Sequence, residues 1–183
     1  MHRAKARALT FFAVFLAVAI MFTSSGPISA NMVDENAVEE FTAQVTADKN
    51  AAEEYGAKKK ISQGHRMEIG GYSSTALSAS SKQIYAFRFE NVLLPEGAAI
   101  VEAYIQFTTK EKGRLNRTAN MVIKAELGDA AEYTNADGSI SARNYTQQKI
   151  DWQHGMFAAV KQQIDTPGLA PLIEEMRENG WQS

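Results

Sequence analysis

Apolar residues along this chain fall mostly in short runs split by turn residues, not in long helical stripes. From about Val45 onward that texture predicts an antiparallel all-β domain. Residues 100–109, IVEAYIQFTT, give the clearest strand. Val101, Ala103, Ile105 and Phe107 share one face, and Glu102, Tyr104, Gln106 and Thr108 share the other. In residues 83–92 Tyr85, Phe87 and Phe89 alternate with Arg88 and Glu90. Residues 119–127 place Met121, Ile123, Ala125 and Leu127 on one face, and residues 145–152 form a further strand. Gly70-Gly71, Pro95-Glu96-Gly97 and Asn135-Ala136-Asp137-Gly138 mark turns, and the Ser-rich stretch 72–81 reads as a loop or as an edge strand with a turn. The period changes near the end. Leu169, Leu172, Ile173 and Met176 recur at helical spacing, with Thr166-Pro167 as N-cap and first-turn proline and Gly180 as the stop. Five or six strands and one short C-terminal helix are expected.

The N-terminus has a different pattern. Arg3, Lys5 and Arg7 precede a nearly unbroken apolar run over residues 9–22, and Ile28-Ser29-Ala30 supplies small or aliphatic residues at a cleavage site. This is the secretory leader pattern, with cleavage expected after Ala30. The run of 14 residues is shorter than the ~20 a spanning helix needs. The expected organisation is a signal peptide over 1–30, a linker or arm over 31–44, and a β-sandwich module over 45–183. The expected location is secreted, periplasmic or at the cell surface, with no membrane association after leader removal.

Charge and composition narrow the function classes. The chain has 19 Lys+Arg against 21 Asp+Glu. Loss of three basic residues with the leader leaves 16 against 21, a net of −5, which argues against a nucleic-acid partner. With no Cys there is no disulfide, thiolate metal site or thiol nucleophile. His65 and His154 are the histidines beyond the leader, too far apart for a local metal motif. No Gly-x-Ser-x-Gly elbow, Walker loop or dinucleotide fingerprint occurs, which disfavours a hydrolase or a nucleotide-dependent enzyme.

Two groups of residues carry candidate chemistry. Glu53 and Glu54 are adjacent acids on a strand, so they point to opposite faces and do not form a proton-sharing dyad. One of them with backbone carbonyls would suit a structural calcium, the one cofactor the sequence offers. The competing reading is a surface pair or a partner for Arg88 or Arg143. Trp152, Tyr104, Tyr85 and Trp181 are aromatics that can stack on sugar rings, and Trp152, Arg143 and Tyr104 are the candidate ligand-binding residues. Their competing reading is core packing.

Residues 87–109, FRFENVLLPEGAAIVEAYIQFTT, resemble a recurrent module of exported bacterial proteins. The matching positions are Arg88, Phe89, Asn91, Val92, Pro95, Gly97, Ala98, Ile100, Ala103, Tyr104, Ile105, Gln106 and Phe107. Ala51-Ala52-Glu53-Glu54, Ser141-Ala142-Arg143, Trp152, Thr166-Pro167 and Gly180-Trp181 follow the same family's order. The resemblance implies a jelly-roll sandwich of the galactose-binding-like kind, a non-catalytic module in secreted or surface proteins. It implies a polysaccharide or another surface protein as partner. Phe157 stands where the family carries a second tryptophan, and family members continue past the Gly-Trp segment into further strands. The resemblance therefore implies an incomplete C-terminus with an open strand edge available for association, unless residues 31–44 fold back to cover it with Val38 and Phe41.

Overall fold

A computed structural model of the chain describes residues 11–18 (backbone only), 40–56, 58–64, 83–95, 98–110, 118–155 and 158–181. Val38, His65, the Gly70-Gly71 turn, the Ser-rich stretch 72–81 and Phe157 lie outside the described residues. The elements in chain order are β1 (Phe11–Val18), β2 (Phe41–Val45), β3 (Ala51–Tyr55), β4 (Lys60–Gln63), β5 (Gln83–Phe87), β6 (Gln106–Thr109), β7 (Ala119–Ile123), β8 (Ile150–His154), β9 (Gln163–Asp165) and α1 (Ala170–Glu178).

Every strand pairing among the described residues is antiparallel. The strands form a four-stranded sheet ordered β2-β1-β6-β9, a three-stranded sheet ordered β4-β3-β5, and the pair β7-β8. The described chain is therefore all-β with one short C-terminal helix, as the sequence pattern implies. Residues from all three sheets meet in one core: Val45, Phe107 and Ile164 from the first, Ala51 from the second and Trp152 from the third. Phe107 stacks on Trp152 with ring centroids 5.7 Å apart and meets Phe87 edge-on at 5.6 Å. A neighbouring cluster buries Ala43, Leu94, Ala98 and Ala103 against Leu169 and Leu172 of the helical end.

Several elements differ from the pattern that predicts them. Among the described residues, 100–105 have no strand partner, and β6 begins at Gln106. Their backbone is tied instead to the run before the helix: Thr166 N–H donates to Ile105 O at 2.9 Å, and Leu169 N–H to Ala103 O at 2.7 Å. The face assignment holds for Ala103 and Phe107, both buried, and ends at Val101, which is 57% exposed. The helix starts at Ala170, three residues past Pro167, and Pro171 occupies its first turn. Thr166 is a strand clip, because its Oγ1 accepts the Ile105 N–H at 3.0 Å. Gly180 ends the helix at φ +88, a conformation glycine adopts freely. Residues 41–44, read as the end of an arm, belong to β2, where Ala43 and Val45 are buried.

Candidate functional site

β3 is the strand from which the candidate acids project, and it is buried on both sides. Ala51 enters the shared core, while Ala52 packs on Tyr133 and Ile140 in a separate cluster. Alternation puts Glu54 on the side of Ala52. There the 134–143 loop covers the outer face of the β4-β3-β5 sheet. Glu54 is only 3% exposed, and its Oε2 accepts the backbone N–H groups of Ile140 at 3.2 Å and Ser141 at 2.8 Å. Two successive N–H groups form a small anion cradle. The loop turns tightly beneath it, with Gly138 at φ +76 and its N–H bonded to Lys59 O at 2.9 Å. A side chain at Gly138 would come within 3.3 Å of Lys59 Cδ. Asn135-Ala136-Asp137-Gly138 is thus a turn, as its sequence implies.

Glu53 points the other way and accepts the Gln83 Nε2–H at 2.9 Å. The two acids are separated by the sheet, so they do not converge on one ion. Among the described residues no group of three or more His, Asp or Glu side chains is arranged to hold a metal. Among the described residues, Arg88 forms an ion pair with Glu90 and Arg143 with Glu126. Arg88 donates to Asn50 Oδ1 at 2.8 Å, Glu90 Oε1 at 2.6 Å and Ala130 O at 2.7 Å.

Arg143 is the centre of the loop. Its guanidinium donates to Glu126 Oε2 at 2.8 Å and to the carbonyls of Ala131, Glu132 and Ser139 at 2.9, 3.0 and 3.2 Å. It also lies 4.5 Å above the Tyr133 ring, a cation–π contact. Four of its five N–H donors are engaged. Burial raises the Tyr133 phenol, and it raises the Tyr145 phenol to about 12, with the Glu126 carboxylate adding to both. Tyr145 donates its O–H to Ile140 O at 2.6 Å.

The other two candidate ligand-binding residues lie elsewhere. Trp152 is 8% exposed and fills the core, so its rings are taken by Phe107 and His154. Tyr104 is half-buried in the 100–105 run, and partial burial followed by the carboxylates of Asp165, Glu102 and Glu40 raises its phenol. Trp152, Arg143 and Tyr104 therefore occupy three separate settings and do not build one platform.

Sequence reasoning missed Glu175. Its two oxygens accept the N–H groups of Gln147 at 2.6 Å and Gln148 at 2.9 Å, the same cradle chemistry as Glu54, and clasp α1 to the start of the β8 segment. It also missed the buried threonines that replace ladder bonds: Thr146 Oγ1 accepts Ala125 N–H at 3.2 Å, and Thr109 Oγ1 accepts Gln162 N–H at 2.9 Å. A glutamate on a helix and isolated threonines carry no local signal of such partners. No family model, curated protein or solved structure matches the chain.

Proposed function

We propose that this chain is an exported, non-catalytic binding or structural module of a secreted or surface protein, a jelly-roll sandwich of the galactose-binding-like kind. The observation that carries the reading is how the family-like residues are used. Arg88, Arg143, Glu54 and Trp152 are spent on backbone carbonyls, backbone N–H groups and core rings. Side chains committed in this way hold a scaffold and leave recognition to the loops and edges it presents. The resemblance over 87–109 and the leader pattern support the same reading from the sequence side.

A carbohydrate-binding role is the second reading, and Tyr104 favours it. This half-exposed ring lies near Asp165, whose carboxylate accepts the Gln106 side-chain amide at 2.9 Å. An aromatic face beside an amide and an acid suits a sugar ring.

Export is tested first. Intact-mass measurement of the protein recovered outside the cytoplasm should show a chain beginning at Asn31. A pool that keeps residues 1–30 refutes the leader. A glycan array with the wild type and Tyr104→Ala then separates the two readings: binding lost in the variant supports the carbohydrate role. Calorimetric titration with calcium tests the remaining cofactor expectation, and release of reducing ends from polysaccharide by the purified protein would overturn the non-catalytic assignment.

A further inference from the structure

The sequence of β1 and its place in the fold are at odds. β1 lies between β2 and β6 and is antiparallel to both. Directly opposite residues in an antiparallel pair share a face. Val14 is paired with Val45 on one side and Phe107 on the other, and Leu16 with Ala43. Ala43, Val45 and Phe107 are buried, whereas Thr42 and Gln44 are exposed. A strand in this slot therefore needs apolar residues only at alternate positions. Residues 11–18, FFAVFLAV, do not alternate. An unbroken apolar run is what a leader needs, and more than a sheet with one wet face requires. The fit is also irregular, because Phe11 pairs with Thr109 and Val14 with Phe107, which leaves an extra residue in β1.

We propose that β1 is a placeholder and that the leader-free chain is a strand acceptor. The slot between β2 and β6 takes an extended segment of a partner polypeptide, apolar at alternate positions and antiparallel to both neighbours. This rests on the export reading, because removal of residues 1–30 is what empties the slot. The facing edges of β2 and β6 then carry unpaired N–H and C=O groups, and the strip of Ala43, Val45 and Phe107 gains an open flank. Backbone pairing supplies the affinity and the alternate apolar positions supply the selectivity, as in strand addition generally.

The test uses the cleaved protein recovered after export, the full chain, and a labelled peptide. The peptide carries residues 11–18 with Phe15→Thr and Ala17→Thr, flanked by lysines for solubility. A second peptide adds Val14→Asp and Leu16→Asp. Fluorescence anisotropy should show saturable one-to-one binding of the first peptide to the cleaved chain. The aspartate peptide should bind roughly a hundredfold more weakly, as expected for two carboxylates forced against an apolar strip. The full chain should bind neither, since β1 holds the slot. A cleaved chain that melts cooperatively only with peptide, or self-associates until peptide disperses it, also supports the proposal. A cleaved chain whose binding, melting and association ignore the peptide overturns it, as does equal binding of both peptides. Mass measurement separates the two ideas. A chain that keeps its leader sinks the export reading and the vacancy together, while a cleaved chain that rejects the peptide sinks the strand acceptor alone.

Discussion

A buried carboxylate that accepts two backbone N–H groups is a joint, and Glu54 and Glu175 each make one. Truncating such a group removes two charge-assisted bonds and leaves both N–H donors without a partner. Glu54→Ala should therefore cost about 2–4 kcal/mol, while Glu54→Gln, which keeps one acceptor oxygen, should cost about half as much. Chemical denaturation of both variants checks this. Equal losses would mean that packing rather than the cradle dominates. Part of this site was legible in the sequence. Adjacency on a strand already placed Glu53 and Glu54 on opposite faces. The partners of Glu54 were not legible, because Ile140 and Ser141 lie 86 and 87 residues further along the chain, and no local pattern records a contact made across that distance.

At the scale of elements, periodicity told faces better than it told pairings. The alternation over 100–109 correctly put Ala103 and Phe107 inside, yet half of that run pairs with an irregular segment instead of a strand. Hydrophobic alternation reports burial, and backbone partners are set by topology. The same limit explains β1, since a short unbroken apolar run reads equally as a leader core or a buried strand. It also explains the helix start, where Thr166 has an N-cap residue type but its hydroxyl serves Ile105. The face assignment makes a direct prediction. Ile105 packs against both central clusters, so Ile105→Asp should lower stability by at least about 3 kcal/mol and abolish cooperative melting. Val101→Lys and Glu102→Lys, at exposed positions, should change stability by no more than about 0.5 kcal/mol. Thermal melts of the three variants compare them, and a destabilised Val101→Lys would show that the solvent boundary lies further along the run.

For the whole molecule, pH offers a readout of the clamp formed by the 134–143 loop. The Tyr133 and Tyr145 phenols are held above their ordinary value of 10.0, first by burial and then by the Glu126 carboxylate. The folded chain keeps them neutral where the unfolded chain ionises them. Stability is therefore full below about pH 10 and falls as pH rises toward 12, through the Tyr145 pKa. Melting temperatures across that range should drop, and Tyr145→Phe should flatten part of the drop. An identical alkaline profile in the variant would assign the effect to other groups. The Glu54 cradle has a further consequence, in time. β3 is not closed until Ser141 has been made, 87 residues after Glu54. At ~5–20 residues per second that delay is about 4–17 s. The joint at Glu175 forms later still. For all of that interval the growing chain holds Glu54 without the two N–H groups that its carboxylate accepts in the finished fold.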